Sequence, residues 1–126
     1  MATSPEPRIP PKRKGMARLL AAARYSYAGL RSAFASEEAF RLEVWALFVL
    51  TPLAVWLGED GVERALLIGV LLLLMIIELL NTAVEAVVDR IGPEYHDLSR
   101  QAKDVGSAAV FLGMLLVALV WGCILI

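Results

Sequence analysis

The stretch Ala65–Arg90 reads ALLIGVLLLLMIIELLNTAVEAVVDR, and it decides the fold class of this chain. Its first thirteen residues carry no charge, which is typical of a helix that lies in lipid. The polar residues Glu78, Asn81, Glu85 and Asp89 then follow at steps of three and four. At roughly 100° per residue they lie on one helical face, with Val and Leu on the others. The pattern predicts a helix that carries a row of carboxylates from membrane depth into water.

The composition of the whole chain is that of a small membrane protein. The chain has 126 residues, of which 59% are hydrophobic, so it holds one domain at most. Its single cysteine, Cys123, cannot form an intrachain disulfide. Eight of the twelve Lys and Arg residues lie before residue 42 and lead directly into apolar segments. This arrangement favours a membrane surface rather than nucleic acid as the partner, and it lacks the features of a cleaved secretory signal.

The rest of the chain divides into a tail, a surface helix and three spans. Residues 1–14 are rich in Pro and basic residues, and we expect them to form a disordered tail. Residues 15–126 are expected to form a single integral-membrane domain. Apolar residues at three- and four-residue steps over about residues 15–35 predict an amphipathic helix on the membrane surface. The predicted spans are about 37–57, 62–89 and 105–126.

The distribution of basic residues predicts the orientation of these spans. Apart from Arg64, every Lys and Arg lies before residue 42 or in the polar segment 90–104. The turn at 58–63 carries Glu59, Asp60 and Glu63 instead. Because cytoplasmic loops are enriched in Lys and Arg, we expect the N-terminus and segment 90–104 to be cytoplasmic and the C-terminus to lie outside.

The row of carboxylates is the first candidate for a functional site. Placing a carboxylate at membrane depth costs free energy, so a residue such as Glu78 is usually retained because it has a function. The alternative is a structural carboxylate, protonated or paired with Arg inside a helix bundle. Four polar groups in register on one face favour the functional interpretation.

Two polar clusters near the third span are weaker candidates. The segment Lys103–Ser107 places a cation and a hydroxyl at a helix N-terminus, which favours phosphate, although such a Lys also anchors helices at the interface. The segment Glu94–His96 holds the only histidine, which could contact a nucleotide or simply be a solvated loop residue. One histidine without a nearby cysteine is not a zinc site.

The acidic residues before the first span also allow two interpretations. Glu37, Glu38 and Glu43 could cap a helix and lie at the interface, or one of them could join Glu85 around a hard cation. The chain has neither a P-loop nor a G-x-G-x-x-G motif, and no Ser/His/Asp set is evident. A bound nucleotide would therefore need a different arrangement.

The chain reads ELLNTAVEAVVDRIGPEYH at 78–96 and AKDVGSAA at 102–109. These two stretches closely resemble the bacterial integral-membrane diacylglycerol kinases. Arg18, Tyr25-Ser26, Gly29-Leu-Arg31 and Glu37-x-x-Phe40-Arg41-x-Glu43 match the same family upstream, so that the resemblance covers about residues 15–126. Undecaprenol kinases share the Glu-x-x-Asn-x-x-x-Glu core. The segments 25–31 and 94–96 favour the diacylglycerol branch.

The resemblance implies a fold, a reaction and an assembly. It implies an all-α homotrimeric bundle, in which each subunit has a surface helix and three transmembrane helices and active sites lie between subunits. It implies ATP-dependent phosphorylation of the free hydroxyl of diacylglycerol to phosphatidic acid, with Mg²⁺ as cofactor. It places this chemistry at the cytoplasmic face of the bacterial inner membrane, among membrane lipids.

The resemblance also implies roles for individual residues. Glu78 corresponds to the catalytic general base and Asn81 to its support, while Glu37 and Glu85 correspond to the metal ligands. The implied ATP contacts are Arg18, Tyr25, Glu37, Glu85, Glu94, Tyr95, His96, Lys103 and Asp104. The implied lipid-substrate residues are Ala22, Ala23, Arg24, Tyr25, Ser26, Tyr27, Arg31, Ser32, Ala33, Phe34, Ala39, Phe40, Arg41, Leu42, Glu43, Glu78 and Ser107.

Two other functions remain open at the level of sequence. A polyprenol kinase of the same fold would phosphorylate undecaprenol instead of diacylglycerol. A membrane scaffold or proton-relay protein would use the same carboxylates without consuming ATP.

Overall fold

The computed structural model describes residues 9–11 and 14–126, and this part of the chain contains four helices and no strand. The remaining residues of the expected tail, 1–8 and 12–13, lie outside the described residues. The helices, in chain order, are α1 Gly15–Ser36, α2 Glu38–Leu57, α3 Gly61–Ile91 and α4 Asp97–Leu125. The chain divides into two compact units, one up to Ser32 and one from Ala33 to Ile126.

The first unit consists mainly of α1. Its large apolar side chains are exposed: Met16 is 70% accessible, Leu19 65% and Leu20 57%. Arg18, Arg24 and Arg31 alternate with them along the helix. This combination of exposed apolar and basic side chains is what an interfacial helix presents to a lipid surface.

The second unit contains the three helices that are long and apolar enough to cross a membrane: α2, α3 and α4, with 20, 31 and 29 residues. A span needs about 20 residues. The predicted fold class, an all-α membrane protein with three candidate spans, is therefore confirmed. Helix α4 begins at Asp97, ahead of the uncharged run from Val105, because His96 caps it and the polar segment continues the helix.

Helix α3 is the central element of this unit, since it packs against both α2 and α4. Leu67 on α3 is fully buried, and its carbonyl accepts a hydrogen bond of 3.1 Å from Trp121 Nε1 on α4. Gly113 of α4 is buried against α3, where a Cβ would lie 3.0 Å from Leu74 Cδ1 and 3.1 Å from Ile77 Cδ1. Lipid tails are as apolar as leucine, so close packing and such hydrogen bonds hold the helices together.

Tight turns join these helices at both ends of the unit. At the α2–α3 turn, Asp60 caps α3 by accepting a 2.8 Å hydrogen bond from Glu63 N, and Arg64 Nε donates to Val55 O at 3.0 Å. At the α3–α4 turn, Gly92 has φ +156°, a conformation that side-chain-bearing residues rarely adopt. The two short turns make neighbouring helices antiparallel, so the start of α2, the end of α3 and the start of α4 lie at the same end of the unit.

Candidate active site

The candidate site is centred on two carboxyl groups that face each other between α2 and α3. Glu43 on α2 and Glu78 on α3 are close enough for their carboxyl groups to interact electrostatically. Glu43 Oε2 is buried and has no hydrogen-bond partner among the described residues. A carboxyl pair in a poorly hydrated place is unfavourable for folding and is therefore typical of a functional site.

Two further carboxylates surround this pair. Glu37 and Glu85 are both near enough to Glu78 for their negative charges to repel that of the Glu78 carboxylate. Glu37 occupies the N-cap position of α2, but its side chain makes no capping hydrogen bond, so capping does not explain this carboxylate. Among the described residues, no group of three or more His, Cys, Asp or Glu side chains is arranged to hold a metal ion.

Asn81 links the carboxylate row of α3 to α4. Its Nδ2 donates a hydrogen bond of 3.3 Å to Glu85 Oε1, one helical turn further along. Its Oδ1 is buried and has no hydrogen-bond partner among the described residues. The same oxygen lies directly against Gly106 of α4, where a Cβ would collide with it. In this structure Asn81 therefore contacts the predicted metal ligand, whereas the sequence resemblance assigned it as support for the base.

The ammonium group of Lys103 lies at the outer end of the carboxylate row, beside Asp89. Lys103 Nζ on α4 forms a 2.8 Å salt bridge with Asp89 Oδ1 on α3. The negative charge of Glu85 also attracts the Lys103 ammonium group. Arg100 Nε lies 3.3 Å from Asp104 Oδ1, one turn apart on α4. Because Lys103 already pairs with Asp89, a negatively charged group near Glu85 would bind the lysine either together with Asp89 or in its place.

The α3–α4 turn forms a cavity of about 340 Å³ beside this salt bridge. Its lining includes three of the predicted nucleotide contacts from the turn, Glu94, Tyr95 and His96, together with Asp89 and Lys103. His96 Nδ1 accepts a 3.1 Å hydrogen bond from Leu98 N, so one ring nitrogen already has a structural role at the start of α4. Nε2 is the ring nitrogen left for another contact.

The predicted lipid-substrate residues fall into both compact units. Residues 22–27, 31 and 32 belong to the first unit, as do the predicted nucleotide contacts Arg18 and Tyr25. In the second unit, Phe40 is buried and Arg41 donates to the carbonyls of Phe34 and Ala35 at 2.9 and 3.1 Å. Arg41 thus satisfies the free carbonyls at the end of α1, which is a structural task.

Several contacts of this site were missed by the sequence analysis. The facing of Glu43 and Glu78 was not predicted, nor was the salt bridge of Asp89 with Lys103. The i,i+4 spacings could have revealed the contacts of Asn81 with Glu85 and of Arg100 with Asp104, because such pairs share a helix face.

The chain is similar to known proteins over nearly its whole length. Residues 24–125 match the family model described as prokaryotic diacylglycerol kinase. The diacylglycerol kinase of Escherichia coli strain K12 is 50% identical over 112 residues, which cover 89% of this chain and 91% of that protein. That of Haemophilus influenzae is 51% identical over 114 residues, covering 90% of this chain and 97% of the relative. That of Pseudomonas aeruginosa is 48% identical over 112 residues, covering 89% and 91%. On this evidence the chain belongs to the prokaryotic diacylglycerol kinase family.

Proposed function

We propose that this membrane protein is a diacylglycerol kinase. It transfers the γ-phosphoryl group of ATP to the free hydroxyl of diacylglycerol, forming phosphatidic acid and ADP. The observation that carries the proposal is the carboxyl cluster around Glu78 at the end of the unit that also holds Lys103. The curated relatives named diacylglycerol kinase support the choice of substrate.

Glu78 is the general base in this proposal. Its carboxylate takes the proton of the lipid hydroxyl as that oxygen attacks the γ-phosphorus and the bond to the β–γ bridging oxygen of ATP breaks. Glu78 and Glu85 are seven residues apart, which is about 10 Å along the helix axis. The base therefore lies at the depth of a lipid hydroxyl, while Glu85 lies nearer the water and the phosphates. Phosphoryl transfer depends mainly on positioning and charge neutralisation.

Glu37 and Glu85 are the proposed ligands of Mg²⁺. Their carboxylate oxygens suit this hard cation, and both act on Glu78 from nearby. Mg²⁺ usually keeps waters and binds one or two protein carboxylates together with phosphate oxygens, so two carboxylates fit it without a third protein ligand. When bound, the ion neutralises phosphate charge. Asn81 holds one of these carboxylates, Glu85, by its 3.3 Å hydrogen bond.

The nucleotide is proposed to bind at the polar end of α3 and α4. The cavity beside Glu94, Tyr95 and His96 supports this assignment, as does the amino group of Lys103 at the start of α4. Asp104, Arg18 and Tyr25 complete the proposed set of ATP contacts. The family resemblance further supports a homotrimer with active sites between subunits and a lipid site that includes Ser107.

The cytoplasmic orientation of this end is also a proposal. The end with the carboxyl cluster carries Arg90, Arg100 and Lys103, whereas Arg64, at the start of α3, is the basic residue beside the α2–α3 turn. A cysteine introduced at Pro93, with Cys123 replaced by Ala, should react with an impermeant maleimide only after the cells are opened. A cysteine at Glu59 should react in intact cells. The reverse labelling pattern would contradict the orientation.

A phosphotransfer assay on the purified protein tests the proposed activity. With ATP and Mg²⁺ in detergent micelles, added diacylglycerol should give phosphatidic acid and an equal amount of ADP. Undecaprenol in its place should give much less lipid phosphate. Preference for undecaprenol would make the protein a polyprenol kinase, and absence of lipid-dependent ATP consumption would favour a scaffold or proton-relay protein.

Replacement of the proposed base tests its role in catalysis. Glu78→Gln keeps the size of the side chain but cannot take the proton, so kcat should fall by about 10²–10⁴-fold, the usual contribution of a positioned base. Equilibrium binding of Mg·ADP should be nearly unchanged. Glu59→Gln, at the opposite end of the unit, is the matched control and should keep wild-type turnover. A folded Glu78→Gln protein that keeps most of its turnover would show that Glu78 is not the base and that its role is structural.

Replacement of the proposed metal ligands tests the site of Mg²⁺. Glu37→Gln and Glu85→Gln each remove a charged oxygen ligand, so the KM for Mg·ATP should rise about tenfold or more, with the KM for diacylglycerol little changed. Glu38→Gln is the matched control, because Glu38 is the exposed neighbour of Glu37 on α2. Normal Mg²⁺ and ATP dependence in both variants would place the metal site elsewhere.

A further inference from the structure

Gly106 of α4 touches a polar side chain of the proposed active site. A Cβ at this position would collide with Asn81 Oδ1 on α3, so only a hydrogen atom of glycine fits against that oxygen. Cα–H···O contacts of this kind recur where helices pack closely, and they are weak. The contact therefore acts through shape: it allows the amide of Asn81 to lie between the two helices.

The orientation of this amide matters because its two ends have different neighbours. Oδ1 is buried against Gly106 without a hydrogen-bond partner among the described residues, whereas Nδ2 donates to Glu85 Oε1 at 3.3 Å. The terminal torsion of an asparagine side chain is soft, so its neighbours set its angle. Because the amide is planar, displacing Oδ1 also turns Nδ2 away from Glu85.

The other glycines of α4 have different surroundings. Gly113 lies against the apolar ends of Leu74 and Ile77, and a Cβ at Gly122 would meet nothing within 4 Å. Among the three glycines of α4, only Gly106 contacts a polar group of the proposed site. Helix propensity does not explain it either, because alanine is the better helix former at a mid-helix position.

We infer that Gly106 is a positioning residue for Glu85 and acts through Asn81. This inference rests on the proposed function, since Glu85 is a proposed ligand of the Mg·nucleotide. Gly106 leaves room for the one amide orientation in which Asn81 holds the Glu85 carboxylate. A larger side chain at 106 collides with Oδ1, the flexible end of the Asn81 side chain, so the amide turns and its hydrogen bond with Glu85 is lost.

A double-mutant cycle tests the inference through nucleotide binding instead of turnover. The proteins are wild type, Gly106→Ala, Asn81→Ala and the double variant, purified in detergent, and the measurement is equilibrium dialysis of Mg·ADP. Partners that orient a metal ligand typically contribute about 10–100-fold in affinity. Gly106→Ala and Asn81→Ala should each weaken binding by about that factor. The double variant should be no weaker than Asn81→Ala, because Gly106 has no effect once Asn81 is absent.

Two matched variants control for crowding and for helix propensity. Gly113→Ala crowds α4 against apolar side chains, so it should lower the thermal unfolding midpoint without weakening Mg·ADP binding. Gly122→Ala should leave both the midpoint and binding close to wild type. Equal losses of binding in Gly113→Ala and Gly106→Ala would overturn the inference, since the effect would then be general crowding.

The remaining outcomes also decide the matter. Wild-type binding by Gly106→Ala, or losses that multiply in the double variant, would overturn the inference. If Gly106→Ala does not fold, the double variant decides, because removing the Asn81 side chain removes the collision. It should then fold and bind as Asn81→Ala does. Failure of the proposed function would appear separately, as wild-type protein that does not phosphorylate diacylglycerol.

Discussion

Helix α3 is longer than the hydrocarbon core of a membrane, and this length positions every polar group of the candidate site that it carries. Its 31 residues extend about 46 Å at 1.5 Å per residue, whereas the hydrocarbon core of a bilayer is about 30 Å thick. One continuous helix therefore runs from lipid into water without a break. Glu78, Glu85 and Asp89 lie at successive positions on this single rigid element, and their spacing along the helix axis is set by helix geometry alone.

Helix α4 packs against α3 and brings further groups to this row of carboxylates. Lipid supplies no hydrophobic force between helices, so α4 is held by close contact at Gly113 and by the hydrogen bond from Trp121 to Leu67. These contacts fix the rotation of α4 about α3. That rotation in turn brings Lys103 to Asp89 and Gly106 to Asn81 at the other end of the helix pair. Packing at membrane depth thus determines which polar groups meet near the water.

The charge distribution at this end is unfavourable for folding. Glu37, Glu43 and Glu85 all act on Glu78, and a buried oxygen of Glu43 has no hydrogen-bond partner among the described residues. Lys103 acts on the outer part of the row, at Asp89 and Glu85. An excess of negative charge beside the ammonium group of Lys103 fits the proposed metal-bound nucleotide, since the carboxylates would attract its cation and the lysine its phosphates.

The residue pattern along the chain was enough to predict the helices of this protein and their polar and apolar faces. The uncharged run before Glu78 and the three- and four-residue steps after it predicted the long helix and its polar face. The four-residue spacing of Asn81 and Glu85 along one helix also makes their contact predictable. The contacts between helices became visible only in the folded protein: Glu43 with Glu78, Asp89 with Lys103 and Asn81 with Gly106. They do not follow from the residue pattern, because lipid-facing and helix-facing positions of a membrane span are equally apolar. The pattern therefore leaves the rotation and depth of one helix against the next undetermined, and these are set by packing at Gly113, Leu67 and Trp121.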